Sequence, residues 1–217
     1  MSSRSWKPWA LMVLSILIKH LLIFSTWMVM VYRYGVRKAT GLFALAVGIL
    51  ALSFVPFLPA GAEGILHNVI LYRSIQTGVG MAAFPPAFAL SIFLIVMMGL
   101  PFIAQWMRLD EREAVGLSSV ALIAFIPGTS VQYWIVVAIF GLTLLHRLGR
   151  WYVIFTAVTT VALLLVYISL MGYIPWPWAL SSMDLVWAAC LAAIIMIYRS
   201  ARKQPAHLPA ATTLVED

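Results

Sequence analysis

Several ionisable side chains lie within or beside the most apolar parts of this sequence, where they are costly to place and often mark function. Lys19 interrupts the first apolar run, and His67 and Arg73 lie in a connection between two later runs. Cations at such places can bind a lipid phosphate or another anionic substrate. The structural alternatives are a Lys19 side chain that snorkels to the membrane interface, and a plain surface helix around His67 and Arg73.

Two other polar features interrupt the later apolar runs. The stretch Pro127–Trp134 introduces hydroxyl and amide groups, including those of Gln132 and Tyr133, and is therefore a candidate site. The structural alternative is a plain turn within an aromatic belt. Asp184 follows a tryptophan-rich turn. The structural alternative to a functional role for Asp184 is that it lies near a helix N-terminus, where the helix dipole favours an acidic side chain.

No recognised catalytic constellation accompanies these residues. The sequence has no phosphate-binding glycine loop, no Ser-His-Asp arrangement and no convincing metal-ligand spacing, so we expect neither a cofactor nor a metal ion. Asp110, Glu111 and Glu113 follow an apolar run, and their pattern is typical of a solvated turn. Catalytic residues are therefore unassigned from the sequence.

The elements that must position these residues are membrane-spanning helices. Of 217 residues 64% are hydrophobic and 10% are charged, compared with roughly 45–50% and 25% in soluble domains. Backbone groups in hydrocarbon must pair within the protein, so only helices and closed barrels span a membrane. Barrel strands alternate apolar and polar residues, whereas this sequence has long unbroken apolar runs. We therefore predict an all-α, polytopic transmembrane helical bundle.

About seven spans are predicted from the apolar runs. Their approximate ranges are 9–32, 39–60, 87–107, two short segments within 114–145, 151–171 and 180–198. The segment 114–145 is either one kinked crossing or two short crossings that meet at Pro127-Gly128. Seven crossings place ten basic residues inside and three outside, whereas six crossings divide them eight to five. Because cytoplasmic loops are enriched in Lys and Arg, we prefer seven crossings with the C-terminus cytoplasmic.

The remaining segments lie outside the spans. Residues 63–77 place Glu63 and His67 on one helical face, which predicts one interfacial helix on the outer surface. Residues 204–217 predict a disordered cytoplasmic tail after a transmembrane domain of residues 1–203. The inner loops explain the net charge of +7, so no nucleic-acid partner is expected. We expect an integral membrane protein of a prokaryotic plasma membrane.

The last span contains two pairs of small residues on adjacent faces, Ala188 with Ala192 and Ala189 with Ala193. Small residues let helix backbones approach closely in lipid, so one face is predicted to form a tight contact. The alternative is that alanine is simply a good helix former.

Five short motifs, taken in chain order, carry a family resemblance. They are Lys19-His20, Tyr32–Lys38, Ser53–Phe57, His67–Arg73 and Ser130–Trp134. In this order they resemble the C-terminal membrane half of the C-type glycosyltransferases, the GT-C superfamily. Within that superfamily they are most similar to the mannosyltransferases that use a polyprenyl-phosphate sugar. The resemblance covers roughly residues 10–175.

The resemblance implies a multi-span bundle with its site on the extracytoplasmic face and a polyprenyl-phosphate-linked sugar as the donor. It implies that Lys19, His67 and Arg73 face the donor phosphate, and that Gln132 and Tyr133 line the sugar pocket. Such enzymes carry a catalytic acidic residue, often in an acidic pair, in an outer loop after their first span. Here that loop is inner and basic, so the acid has no counterpart.

We therefore expect a membrane subunit or half-enzyme that binds membrane lipid and a polyprenyl-phosphate-linked sugar. A partner membrane chain with an acidic outer loop would complete it. The alternative from another class is a non-enzymatic accessory or structural membrane subunit, or a small carrier. An acid that converges with Arg73 and Gln132 in one cavity favours the transferase, whereas scattered or lipid-facing groups favour the structural bundle.

Overall fold

Helices make up the described part of the chain. The computed structural model describes residues 9–11, 13–14, 22–65, 83–126 and 142–203, and none of these forms a strand. The helices are α1 (Ile23–Phe54), α2 (Leu58–Ile65), α3 (Pro86–Trp106), α4 (Glu111–Phe125), α5 (Leu145–Leu148), α6 (Arg150–Leu170) and α7 (Trp176–Lys203). Single turns of 3-10 helix cover Val55–Phe57 and Leu142–Leu144. The all-α prediction is confirmed for these residues.

Four helical stretches within the described ranges are long and apolar enough to cross a membrane. They are Ile23–Phe57, Ala87–Trp106, Arg150–Leu170 and Trp176–Arg202. Their surfaces expose large apolar side chains such as Leu52, Ile95 and Leu185, as expected of helices that contact lipid. These features support a helical membrane protein. The count of seven spans stays a prediction, because residues 66–82 and 127–141 lie outside the described part.

The chain reverses direction within α1, at Gly35, inside the basic turn predicted between the first two spans. Gly35 has φ 71° and ψ 159°, a combination open almost only to glycine. The rings of Trp27 and Phe43 lie 5.1 Å apart, whereas a straight helix would separate these two positions by about 24 Å. Residues 23–34 and 36–54 are therefore two arms that fold back on each other.

The core is centred on α4, which is buried almost all round. Eleven of its 15 residues are buried, and it packs against α1, α3 and α7. The helix ends at Phe125, and Ile126 is extended with ψ 132°, the conformation favoured before a proline. The break predicted at Pro127-Gly128 therefore begins where the sequence indicates.

α6 and α7 form an antiparallel hairpin on one side of this core. α7 begins at Trp176, four residues before the predicted span, so its first tryptophans are helical rather than part of a turn. The physical reason is that Pro177 lies in the first turn, where the missing N–H has no helical partner to lose. The hairpin is closed at the loop by Ser169, whose hydroxyl donates to the carbonyl oxygen of Ile174 at 3.2 Å.

One of the two alanine pairs in α7 faces the core. The buried apolar residues of α7 recur at alternating steps of four and three, as in a coiled-coil seam: Ala179, Met183, Val186, Cys190, Ala193 and Ile197. Ala189 packs against this seam, whereas Ala188 and Ala192 are exposed. The tight face is therefore the one with Ala189 and Ala193, and its contact is intramolecular.

Candidate functional site

The residues predicted to bind the donor lie outside the described residues. These are Lys19, His67, Arg73, Gln132 and Tyr133. Their convergence in one cavity therefore stays a prediction. The interfacial helix predicted over 63–77 is described only as far as Ile65, and the tail 204–217 is not described. Within the described chain, two polar features stand out: a charged network at one end of the bundle and Asp184 away from it.

Segments predicted to be inner loops lie together at one end of the bundle, called here the basic end. They are 33–38, 108–113, 146–150 and 199–203. Arg33 donates to Oε1 of Glu111 from Nε at 2.9 Å and from Nη2 at 2.7 Å. The rings of Trp106 and Tyr198 stack with centroids 5.8 Å apart, which brings the end of α7 to the end of α3. These contacts, with the ion pair described next, place all four segments side by side.

Glu113 and Arg147 form a buried, bidentate ion pair at the basic end. Nε of Arg147 lies 2.6 Å from Oε1 of Glu113, and Nη2 lies 3.0 Å from Oε2. The two side chains are only 4% and 5% exposed. Asp110 completes a capping box, because its Oδ1 accepts the Glu113 N–H and its own N–H donates to Oε2 of Glu113, both at 2.8 Å. Both carboxylate oxygens of Glu113 therefore accept hydrogen bonds, as a buried charge requires.

The prediction of a solvated turn is wrong for Glu113, which is buried, whereas Asp110 is exposed and Glu111 is partly exposed. Asp110 caps α4, Glu111 pairs with Arg33, and Glu113 points into the core toward Arg147. The capping box has a sequence signal, since an Asp is followed three residues later by a Glu just before an apolar run. The arginine partner, 34 positions away, has no such local signal.

The ion pair also shows where the two ends of the segment 114–146 lie. Glu113 precedes this segment and Arg147 follows it, so both ends of the segment lie at the basic end. A single helix of this length would separate its two ends by about 50 Å. Because residues 127–141 lie outside the described part of the chain, the number of crossings in this segment stays a prediction.

Asp184 is an acidic residue inside a candidate membrane span. α7 begins at Trp176, so Asp184 lies in the third turn, beyond the first turn over which a helix dipole acts. The helix-dipole alternative therefore does not account for it. A carboxylate near the centre of a membrane helix costs about 2.5–3.5 kcal/mol on insertion scales. Asp184 is partly buried, and its Oδ1 has less than 1 Å² exposed and no hydrogen-bond partner among the described residues.

Asp184 lies close to the end of α4. Trp187, one turn along the same face of α7, donates from Nε1 to the carbonyl oxygen of Ala124 at 2.9 Å. α4 ends at the next residue, Phe125. The step from Trp187 back to Asp184 moves about 4.5 Å along α7, away from the basic end. Asp184 is therefore placed just beyond the last turn of the central helix.

No family model, characterised protein or solved structure matches the chain. The described ranges contain no group of three or more His, Cys, Asp or Glu residues that could hold a metal ion.

Proposed function

We propose that this chain is a membrane subunit or half-enzyme, resembling part of a lipid-linked-sugar glycosyltransferase, that binds a polyprenyl-phosphate-linked sugar. Lys19, His67 and Arg73 hold the donor phosphate, and Gln132 and Tyr133 line the sugar pocket. The site lies in the half of the bundle away from the basic end. In a prokaryotic plasma membrane the basic end and the C-terminus are cytoplasmic, so the site opens to the outer leaflet.

The early end of α4 is the observation that carries this proposal. α4 stops at Phe125 beside Trp187, whereas α7 continues for about 16 Å to Trp176. α4 therefore ends before the half of the bundle beyond Phe125, and the segment 127–141, with its amide and hydroxyl groups, follows directly in the chain outside the described residues. Polar groups that follow the end of a central apolar helix suit a small polar ligand better than a continuous apolar core does.

The proposed chemistry separates donor binding from catalysis. Lys and Arg bind phosphate through charge-assisted hydrogen bonds, which are strongest where water is excluded. Transfer of the sugar also needs a general base for the acceptor hydroxyl. The acids in the predicted outer half, Glu63 and Asp184, do not lie in an acidic pair. A partner membrane chain with an acidic outer loop supplies the base, and the purified chain alone transfers no sugar.

Lipid binding by the purified chain tests this proposal. Native mass spectrometry in mild detergent, after addition of a short-chain polyprenyl-phosphate sugar, should show a one-to-one complex. Arg73→Gln should weaken this complex by about tenfold, the value of one hydrogen bond to a charged group. Arg150→Gln removes an exposed cation from the basic end and should leave binding unchanged. Equal binding by the two variants, or no complex at all, would contradict the proposal.

Cysteine accessibility tests the orientation on which the proposal depends. In a Cys190→Ala background, single cysteines at Thr129 and Gln204 should react with an impermeant reagent from opposite sides of the membrane. Reaction of both cysteines from the same side would exclude the seven-span topology.

A non-enzymatic accessory subunit is the second candidate, and the second arm of α1 favours it. Between residues 36 and 54 only Ala39 and Ala46 are buried, so most of this arm faces lipid or a partner chain. An accessory subunit would co-purify with its partner and would retain no polyprenyl lipid. The same mass spectra therefore separate the two candidates.

A further inference from the structure

The basic end carries an exposed arginine in a backbone conformation that favours glycine. Arg108 has φ 55°, and within the described ranges it is the one residue other than glycine with a positive φ. It follows α3 in a Schellman turn, which the N–H of Leu109 closes by donating to the carbonyl oxygen of Ala104 at 3.0 Å. Glycine is usual at this position because a side chain there is strained. A strained arginine at the surface indicates a role for its side chain beyond the fold.

Arg108 is two residues along the chain from an aromatic stack that joins the ends of α3 and α7. The exposed ring of Trp106 stacks on that of Tyr198 with centroids 5.8 Å apart. The guanidinium group of Arg202 lies 5.0 Å from the centre of the Tyr198 ring, a cation–π contact that positions the charge. Arg108 and Arg202 are both exposed. These four residues, Trp106, Arg108, Tyr198 and Arg202, are called here the α3–α7 patch.

The surface that leads to the α3–α7 patch is apolar on both helices. Phe102 and Ile103 on α3 are exposed, as is Ile195 on α7. α3 and α7 both run toward the basic end, so each carries in order exposed apolar side chains, an aromatic ring and an arginine. A phospholipid carries its acyl chains, glycerol and phosphate in the same order. Aromatic rings favour the headgroup level of a membrane, and arginine binds phosphate well.

The charge of the basic end favours an anionic lipid. Its four segments contain ten Lys and Arg but three acids, and two of these acids, Glu111 and Glu113, pair with arginines. Enrichment of cytoplasmic loops in basic residues accounts for such segments in general. It requires neither a strained backbone at an arginine nor an aromatic stack between two helices. The α3–α7 patch therefore has features of a specific site.

We propose that the α3–α7 patch binds the headgroup of an anionic phospholipid, with Arg108 and Arg202 on the phosphate and Trp106 at the level of the glycerol. The acyl chains lie along the exposed apolar surface of α3 and α7. The site belongs to the basic end, away from the proposed donor site, and it is independent of the proposed function.

Lipid titration of the full chain in mild detergent, measured by native mass spectrometry, tests this site. The probes are phosphatidylglycerol and phosphatidylcholine with identical acyl chains, which differ in net charge. Wild type should bind phosphatidylglycerol at least about tenfold more tightly, since each cation near an anionic headgroup contributes roughly fivefold. The double variant Arg108→Gln with Arg202→Gln should lose this preference. The control, Arg37→Gln with Lys38→Gln, removes the same charge from exposed positions on the second arm of α1 and should keep it.

Three outcomes of the titration would overturn the proposal. Wild type could bind neither lipid or both equally, or the two double variants could lose the preference to the same extent, which would show a diffuse effect of charge. Excess inorganic phosphate should leave bound phosphatidylglycerol in place, because the acyl chains contribute to its binding. Displacement by inorganic phosphate would instead show a site for free anions.

Arg108→Gly separates lipid binding from folding. Glycine relieves the strained backbone, so the melting temperature in detergent without added lipid should rise. The affinity for phosphatidylglycerol should nevertheless fall by about fivefold. A lower melting temperature would show that the arginine side chain stabilises the fold itself, and it would overturn the role of Arg108 in binding the headgroup.

Discussion

Loss of the buried ion pair should be the most destabilising single change at the basic end. Arg147→Met removes the guanidinium group but keeps a long side chain, and it leaves the 4%-exposed Glu113 carboxylate without its cation. Removing one partner of a buried ion pair costs about 3–5 kcal/mol, because the remaining charge is uncompensated. We expect a loss of this size in the free energy of unfolding.

A second bidentate pair among the described residues offers a matched control. Arg33 and Glu111 are 46% and 35% exposed, so water screens their attraction, and Arg33→Met should cost only about 0.2–1 kcal/mol. A double variant tests the cause directly. Glu113→Gln with Arg147→Met should recover most of the loss, because no buried charge remains and the glutamine oxygen can still accept the N–H of Asp110.

The assay is SDS titration in mixed micelles, followed by tryptophan fluorescence, which measures the free energy of unfolding of each variant. High salt should reduce the effect of Arg33→Met and leave that of Arg147→Met almost unchanged, because buried charges are poorly screened. The reasoning would be refuted if the two single variants differed by less than about 1 kcal/mol, or if the double variant were no more stable than Arg147→Met.

Three further predictions concern the backbone and the packing. Gly35→Ala should cost about 1–3 kcal/mol, because φ 71° and ψ 159° suit only glycine. Gly48→Ala, in a helix with open space around it, should be neutral or stabilising. Asp110→Ala removes the N-cap of α4 and should cost about 0.5–2 kcal/mol. Ala193→Leu should cost about 1–3 kcal/mol by overpacking a buried position, whereas the exposed Ala192→Leu should be silent. Thermal melting in detergent ranks these variants, and equal melting temperatures within either matched pair would contradict the corresponding prediction.

The class of the fold and several of its boundaries could be predicted from the sequence. Hydrocarbon offers no hydrogen-bond partners, so long apolar runs must form helices, and four such candidate spans are present among the described residues. The reversal at Gly35 falls inside the predicted basic turn, and α4 ends just before Pro127. These features depend on solvent and on neighbouring residues in the chain, which the sequence displays directly.

The candidate site could be predicted only in part. The residue type of Asp184 within an apolar run marks it in the sequence, but its position in the third turn of α7 and the shielding of its Oδ1 depend on the folded helices. The predicted donor-binding residues lie outside the described part of the chain, so their arrangement stays a prediction.

Only the tertiary structure decided which distant groups meet. Glu113 and Arg147 are 34 positions apart, and the predicted inner loops offered other basic residues as partners with no local pattern to choose among them. The two alanine pairs of α7 have the same spacing, yet Ala193 is buried and Ala192 is exposed. Residue type and periodicity define the apolar character of a helix, whereas the partner of each side chain depends on how the neighbouring helices pack against it.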